Sequence, residues 1–264
     1  MSMSVAVPHI RIELGAKRRN LEKIKNVVSV AKREGAHVVL LPTLFTIGPV
    51  TEVEYRVRVG KRTMFESIPG TTTQQLSELA SSLGITIVSG PLLERVGSRI
   101  FLTSFVIEPF RGVVAKVRKS VDRPTSPSSD SVVEILGMRF GIMIGDDVLL
   151  PEVSLYFLLS RVDAVVVFHD LCRRAEKQRI ALYTRALECR THVLGVGGIV
   201  AKSSNDLYEV PTTIIDGDGR IVEEARGLVE RIMVVKIGRN SSAELDSYRM
   251  KFLKNVKKLI TKTS

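Results

Sequence analysis

Short apolar runs alternate with amphipathic segments along most of the chain. The stretches "HVVLLP" (37–42) and "DAVVVFHD" (163–170) are continuous β-branched runs, typical of buried strands. The stretch "TTTQQLSELASSLG" (71–84) predicts a helix that starts on threonine and stops at glycine. A further helix is indicated by apolar residues that recur at helical spacing among lysines and arginines: Leu21, Ile24, Val27, Val28 and Ala31.

The remaining segments complete an α/β pattern. An alternating strand is predicted over 5–14, a helix over 174–192, and a hairpin that turns at "DGDG" (216–219). The stretch 120–131 is rich in serine and proline and predicts a loop. No linker divides the chain, so we expect a single domain over 1–264. Two mixed sheets packed face to face, with helices on their outer faces, suit this pattern best, and one doubly wound sheet is the alternative.

One stretch departs from ordinary alternation. "FGIMIGDDVLLPE" (140–152) reads as a buried strand, a tight turn and a proline-started helix. Such a turn usually presents a side chain at its tip, but here the tip is Gly145. The acidic residues Asp146 and Asp147 follow it.

Composition narrows the class of protein. The chain has 264 residues with 44% hydrophobic content, and no apolar run approaches the roughly 18 residues that a membrane span needs. The first residues lack a charged segment followed by an apolar one, so no signal peptide is predicted. Two cysteines do not make a disulfide framework. We therefore expect a cytoplasmic protein that does not enter the membrane.

The net charge of the chain indicates nucleic acid as a second kind of partner. Thirty-nine Lys and Arg outweigh 28 Asp and Glu, giving a net charge of +11, and basic residues are denser in 241–264, which predicts a basic C-terminal helix. A nucleic-acid-associated protein is therefore an alternative. It is disfavoured because aromatic residues make up only 5% of the chain and tryptophan is absent. Five Asn and three Gln are few, which leans towards a thermophile-like composition.

Several fragments, taken in order, resemble the nitrilase (carbon–nitrogen hydrolase) superfamily. "GMRFGIMIGDDVLLPE" is similar to the family's elbow, where a strand turns into a Pro-Glu helix start. "FVIEPFRGVVAKVRKS" looks like the strand pair that ends in Tyr-Arg-Lys, and "YTRALECRTHVLGVGG" like the Arg-Ala-x-Glu-Asn helix and its following strand. The resemblance covers nearly the whole chain. It implies a four-layer α-β-β-α sandwich. We expect no cofactor and no metal.

The family's chemistry uses a cysteine nucleophile, a glutamate base and a lysine that stabilises the oxyanion. Carried over residue by residue, the lysine position matches Lys119. The glutamate position is Thr43, and the cysteine position is Gly145. A supporting glutamate in the loop 120–131 is also absent. The resemblance therefore predicts a protein inactive in the family's own reaction, acting as a binding or scaffold protein, with a small anion or acid as a ligand at Lys119.

An alternative hypothesis is that the protein is an enzyme whose catalytic residues stand at other positions than in the family. An amide or nitrile hydrolase could use Cys172 as a displaced nucleophile, with His169 nearby, or Asp146 as a base. Lys119, Asp146, Cys172 and His169 are accordingly the candidate ligand-binding residues. Cys172 also reads as a small residue that fills space, and Asp146 as a helix cap.

The helix that follows the elbow indicates self-association. "VSLYFLLS" (153–160) is apolar nearly all round, and such a helix must be covered on both sides. The resemblance also implies pairing through this region. We therefore expect a homodimer that forms through the helix 151–160.

Overall fold

The parallel strands of the first sheet run side by side at its centre. The computed structural model describes residues 2–48, 65–120, 129–171, 175–203, 205–239 and 251. In this sheet β1, β3 and β4 are parallel neighbours, while the other strands pair antiparallel. Its strands are β1 (Ser2–His9), β3 (Val38–Leu40), β4 (Thr86–Val88), β5 (Leu92–Val96), β6 (Arg99–Glu108), β7 (Gly112–Ser120) and β16 (Arg231–Gly238).

The second sheet has the same mixed character. Strands β9, β10 and β11 run parallel, and β8, β14 and β15 join them antiparallel at the two sides. Its strands are β8 (Val132–Ile135), β9 (Met138–Ile144), β10 (Ala164–Phe168), β11 (His192–Val196), β14 (Thr212–Ile215) and β15 (Ile221–Ala225). A small third sheet is formed by β2 (Arg11–Glu13), β12 (Gly198–Ala201) and β13 (Leu207–Val210).

Four helices supply the outer layers within the described residues. They are α1 (Lys17–Arg33), α2 (Thr71–Leu83), α3 (Pro151–Leu159) and α4 (Glu176–Cys189). Side chains of α1 and α2 pack with the outer face of the first sheet, and those of α3 and α4 with the outer face of the second. The expected four-layer arrangement, with two mixed sheets face to face, is confirmed.

The largest apolar cluster lies between the two sheets. It joins inward-facing residues of both sheets, such as Val38 and Val106 from the first and Phe140, Val166 and Phe168 from the second. Burying this apolar surface provides the main driving force for sheet packing, at about 25 cal/mol per Å² removed from water. The sandwich therefore fixes the distance between groups that reach across it.

Several boundaries follow from local chemistry as expected. Gly84 ends α2 in the left-handed conformation, with φ of 60°, which glycine adopts without a Cβ penalty. The predicted hairpin at 216–219 is present, and the Asp216 carboxylate accepts bonds from the amides of Asp218 and Arg220, each 2.9 Å long. The helix predicted over 174–192 is shorter, because Arg190 turns left-handed and ends it after Cys189.

Two expectations concern the end of the chain and the membrane. The basic helix expected over 241–264 lies, apart from residue 251, outside the described residues. Among the residues described, no helix is long and apolar enough to cross a membrane.

Candidate functional site

The turn after β9 holds the candidate site. β9 ends at Ile144, and a 3-10 turn over Gly145–Leu149 leads into α3. Gly145 is buried and has a φ of +56°, a left-handed conformation that glycine reaches readily. The Asp147 carboxylate closes the turn by accepting a 3.0 Å bond from the Ile144 amide. The elbow expected from the sequence is thus formed.

A carboxylate from the next strand fills the space at the elbow tip. β10 lies parallel to β9, with Phe168 opposite Ile144, so the residues that follow the two strands are also neighbours. Asp170 is the second residue after β10. A Cβ added to Gly145 would lie 2.5 Å from both carboxylate oxygens of Asp170. The Asp170 carboxylate therefore occupies the place that a side chain at position 145 would need.

The side-chain amide of Gln178 on α4 holds two acidic residues together. Its Nε2 donates to Asp146 Oδ1 over 2.9 Å and to Asp170 Oδ2 over 2.8 Å. Its Oε1 accepts from the Asp170 amide over 3.0 Å. Both amide protons and the carbonyl are used, so the buried Gln178 sets the relative position of the two carboxylates.

Lys119 reaches the turn from the opposite sheet. It stands near the end of β7, and its Nζ donates to the Ile144 carbonyl over 2.7 Å and contacts Asp147 Oδ1 at 2.9 Å. The third ammonium proton has no acceptor among the described residues. The ammonium group therefore lies at the elbow with one donor available.

Thr43 ties the first sheet to the same place. It follows β3, and its buried hydroxyl donates a 2.7 Å bond to the carbonyl of His169, just after β10. This bond commits the only proton of the hydroxyl to the backbone. Thr43 therefore positions the end of β10, and it carries no group that ionises near neutral pH.

His169 lies beneath the acidic cluster. Its ring is fully buried, and burial lowers its pKa to about 4; the contact with Gln178 acts to raise this pKa, and the charge of Arg179 acts to lower it. Nδ1 lies 3.4 Å from Gln178 Oε1, while Nε2 has no partner among the described residues. At neutral pH the imidazole is uncharged and supports Gln178 from the interior.

The electrostatics of the cluster single out Asp170. Burial raises its pKa above the usual aspartate range, and the neighbouring Asp146 and Asp147 carboxylates raise it further. The bond from Gln178 and the charge of Lys119 oppose this rise without cancelling it. A half-buried carboxylate with raised basicity is the type of group that accepts a proton in catalysis.

The structure brings Lys119, Gly145 and Asp146 into one cluster and attaches Thr43 to it through the His169 carbonyl. Cys172 lies outside the described residues. Sequence reasoning missed Asp170 and Gln178. A signal was available for Asp170, because "HD" ends the strand predicted to lie beside the elbow, and carboxyl ends of adjacent parallel strands meet at one edge.

Two further groups near the elbow are structural. On α4, Arg185 donates to the Ser154 hydroxyl over 2.8 Å and pairs with Glu188 at 2.8 Å, which joins α4 to α3. Within the residues described, no cluster of three or more His, Cys, Asp or Glu has a geometry that could hold a metal ion. Asp146 and Asp147 of the turn and Asp170 after β10 instead bond to Lys119, Gln178 and the Ile144 amide.

Solved structures share this architecture. Nit3 of Saccharomyces cerevisiae, a member of the nitrilase superfamily, superposes with a TM-score of 0.74 at 20% identity, covering 95% of this chain and 94% of that one. A mutant of a nitrilase-superfamily amidase from Nesterenkonia AN1 gives 0.74 at 19% identity, covering 96% of both chains. At such identities the likeness establishes the fold, which confirms the expected nitrilase-type sandwich.

Curated relatives match over shorter stretches. A chloroplastic omega-amidase of Arabidopsis thaliana is 28% identical over 156 residues, which is 53% of this chain and 42% of the relative. A nitrilase of Pyrococcus abyssi is 27% identical over 155 residues, 56% of this chain and 57% of the relative. An omega-amidase of Danio rerio is 34% identical over 105 residues, 39% of this chain and 35% of the relative. The chain thus spans about half the length, or less, of the curated relatives it matches.

These relatives correct the functional expectation. We expected a binding or scaffold protein without catalysis, and that expectation is wrong, because the matching proteins are named omega-amidase and nitrilase and so point to hydrolase function. The expectation rested only on the residues at positions 43 and 145, as if no other residue could supply the catalytic groups of the site. It overlooked the carboxylate of Asp170, which reaches the elbow from a different strand.

The family assignment rests on a match along most of the chain. The carbon-nitrogen hydrolase family model matches residues 4–246. This stretch contains every element of the two sheets from β3 to β15 and the whole elbow. The chain belongs to the carbon-nitrogen hydrolase family.

Proposed function

We propose that this protein hydrolyses carbon–nitrogen bonds of amides other than peptide bonds, with catalytic groups displaced from the elbow tip. The observation that carries the proposal is the Lys119 ammonium group, held at the elbow beside a cluster of carboxylates. The names of the relatives support the reaction class. Nitriles are the second substrate class to test, since one of these relatives is named a nitrilase.

Lys119 supplies stabilisation of the transition state. When a nucleophile adds to an amide carbon, negative charge develops on the carbonyl oxygen. An ammonium group fixed by the Ile144 carbonyl and Asp147 offers its remaining proton to that oxygen without having to reorganise. Because the site is partly shielded from water, this interaction is stronger than in bulk solvent.

The proton transfers require a base that is not at the tip. Gly145 has no side chain, and the hydroxyl of Thr43 is committed to a carbonyl. The acidic cluster provides carboxylates within reach of the elbow, including Asp146, which the sequence put forward as a displaced base. Cys172, the other displaced group put forward, stays a prediction, as does a small anionic ligand at Lys119.

We expect the native protein to release ammonia from at least one compound in a panel of small amides, ω-amides and nitriles, and Lys119→Met to lower kcat/KM about 100- to 1,000-fold. That range is typical for loss of one oxyanion-stabilising donor. The matched control is Lys177→Met, which removes an exposed lysine from α4 beside the site. Ammonia release is measured by a coupled assay after each variant is shown to be folded.

Two results would refute this proposal. The first is absence of turnover by the native protein on every member of the panel. The second is turnover by Lys119→Met within a few-fold of the native rate, since the carbonyl oxygen would then have no need of the ammonium group.

We further propose that residues 1–264 form a single domain and that the protein is cytoplasmic. The family model covers 4–246 of it. Cys189 is a buried thiol that donates to the Ser154 carbonyl over 3.5 Å, and a thiol of this kind suits a reducing compartment. No disulfide is required by any part of the proposed chemistry.

We also propose a homodimer that forms through α3. Its outward side carries exposed leucines, and leucines just before it and on α4 extend the same kind of surface: Leu149, Leu150, Leu155, Leu159 and Leu187. These side chains are between 38% and 51% exposed, so burying the rest of each against a second copy would contribute about half of the 1.5–3 kcal/mol that full burial gives. Leu155 and Leu159 stand four residues apart on one face of α3, and exposed apolar residues grouped on one face are typical of an interface.

The double substitution Leu155→Glu, Leu159→Glu is expected to convert a dimer into a monomer, because it places charges in the apolar contact. Light scattering coupled to size-exclusion chromatography measures the mass. The control is Phe110→Glu. Phe110 is an apolar residue that is 86% exposed, and it lies on the turn between β6 and β7 of the first sheet, outside the helical layer of α3. A native protein that is monomeric at micromolar concentration would contradict the dimer.

A further inference from the structure

The Asp170 carboxylate lies where the elbow would otherwise present a nucleophile. Both of its oxygens would be 2.5 Å from a Cβ at position 145, so it faces the same space as a side chain on the tip. We propose that Asp170 is the catalytic base of the hydrolysis proposed above, and that it activates water for direct attack, with no covalent acyl-enzyme. This inference rests on the proposed function and adds to it the identity of the base and the order of bond changes.

The other carboxylates of the cluster are less suited to this role. Asp147 uses one oxygen for Lys119 and the other for the Ile144 amide, which fixes it as a structural brace. Asp146 is exposed, and its described contact is the bond from Gln178 to Oδ1. Asp170 is half-buried, and Gln178 occupies only its Oδ2 among the described residues, which leaves Oδ1 to receive a proton.

The raised pKa of Asp170 and its position at the elbow both suit a catalytic base. Burial, together with the charges of Asp146 and Asp147, keeps its pKa above the ordinary aspartate value, so it holds a proton more strongly than a solvated carboxylate. Lys119 is close enough to act on the same carboxylate. A reacting amide placed over the tip would therefore meet the base and the oxyanion donor together.

The proposed reaction balances without any further reagent. Asp170 takes a proton from water as the water oxygen bonds to the amide carbon, and the carbonyl oxygen becomes an oxyanion beside Lys119. As the carbon–nitrogen bond breaks, Asp170 returns the proton to the leaving nitrogen. The products are a carboxylic acid and ammonia or an amine, and the Asp170 carboxylate is restored.

Direct attack by the carboxylate itself is the less favourable route. It would form a mixed anhydride, and the tetrahedral adduct would expel the carboxylate in preference to the amide nitrogen. Activation of water avoids this unproductive return of the adduct to the starting amide.

The positioning residue is Gln178. Its side-chain amide holds Asp170 through bonds to both the carboxylate and the backbone amide.

The test compares three carboxylate-to-amide substitutions on the best amide of the panel. Asp170→Asn is expected to lower kcat/KM about 100- to 10,000-fold, the range for loss of a general base. Asp146→Asn is expected to have a much smaller effect. Asp218→Asn, in an exposed turn, is the matched control. The side-chain carbonyl introduced by Asp170→Asn can still accept the bond from Gln178, and thermal denaturation checks that the variant remains folded.

The pH profile gives a readout that a structural role would not move. The base must be deprotonated, so native kcat/KM should rise with pH through the pKa of Asp170, which lies above the ordinary aspartate value. This acidic limb should disappear in Asp170→Asn and persist in the Asp218→Asn control.

Several outcomes would overturn the inference. Asp170→Asn retaining activity within a few-fold, or Asp146→Asn losing more activity than Asp170→Asn, would assign the base elsewhere. An acyl adduct found by mass spectrometry of acid-quenched native enzyme would establish a covalent route, and that measurement needs no variant. In each of these cases native turnover remains and the proposed function stands. Absence of native turnover on the whole panel refutes the proposed function, and the role of Asp170 with it.

Discussion

Replacing Gly145 with cysteine is expected to lower the free energy of unfolding by roughly 2–5 kcal/mol. Two effects add at this position. The left-handed backbone, with φ of +56°, costs a residue with a Cβ about 1–2 kcal/mol. The new Cβ would also lie 2.5 Å from the Asp170 carboxylate, and the crowding costs about 1–3 kcal/mol more.

The two effects can be separated by a double-mutant cycle. The single variants Gly145→Cys and Asp170→Gly and the pair are unfolded with urea, and their free energies are compared. The pair should be more stable than the sum of the two single changes, because removing the carboxylate removes the collision. Gly15→Cys serves as control, since the φ of Gly15 is +73° but nothing lies within 4 Å of an added Cβ. Additivity at Gly145 and Asp170 would contradict the overlap.

The same experiment bears on attempts to restore the family's nucleophile. A cysteine at position 145 would enter space that Asp170 already fills. The cysteine and the carboxylate are therefore alternative occupants of one place. A variant designed to carry the thiol needs the change at position 170 as well.

Glu94→Gln is expected to lower the free energy of unfolding at neutral pH by roughly 2–4 kcal/mol. The Glu94 side chain is 2% exposed and accepts two bonds from Arg118, of 2.7 and 2.8 Å, and one of 2.7 Å from Thr103. Lys116 lies 3.6 Å away. Neutralising the carboxylate leaves these cations facing each other without their shared partner and breaks the paired contact with the guanidinium.

The pH dependence of this loss follows from the shifted pKa of Glu94. Burial acts to raise it, but the bonds from Arg118 and Thr103 outweigh burial, and the net pKa is lowered. A lowered folded-state pKa stabilises the protein above the unfolded glutamate pKa, and this contribution is lost as pH falls through the folded value. The gap in stability between the native protein and Glu94→Gln should therefore shrink in acid.

Urea unfolding at a series of pH values measures that gap. Glu78→Gln is the matched control, because Glu78 is exposed on α2 and its described bond is a 3.3 Å contact with Gln74. A gap that stays constant down to acidic pH would show that the charge of Glu94 does not contribute. Since Arg118 precedes Lys119 on β7, the pair also holds the strand that delivers the ammonium group to the elbow.

Local patterns were sufficient to predict much of the fold. The periodicity of 21–31, the glycine after 83 and the β-branched run 163–170 each reflect interactions among residues near in sequence, and each gave the observed element. The short strand β13, Leu207–Val210, was not predicted. It forms because it pairs with β12, and such pairing leaves little trace in a run of four residues.

The candidate site was only partly predictable for a related reason. Lys119 and Gly145 were identified through resemblance, because they stand in segments with a recognisable order. Asp170 meets Gly145 only through the register of β9 against β10, and Gln178 reaches both acids from a helix further along the chain. These contacts depend on tertiary packing, which periodicity does not encode.

Two bonds described above cross between the sheets at one end of the sandwich. Thr43 fastens the first sheet to the end of β10, and Lys119 fastens it to the end of β9. The reacting groups are therefore divided between two layers whose separation is set by the apolar core between them. A substitution deep in that core, far from any substrate, would move the ammonium group relative to the Asp170 carboxylate. Displacements of about 1 Å can cost a hundredfold in rate. The rate of turnover should therefore respond more strongly to a change in sheet packing than the free energy of unfolding does.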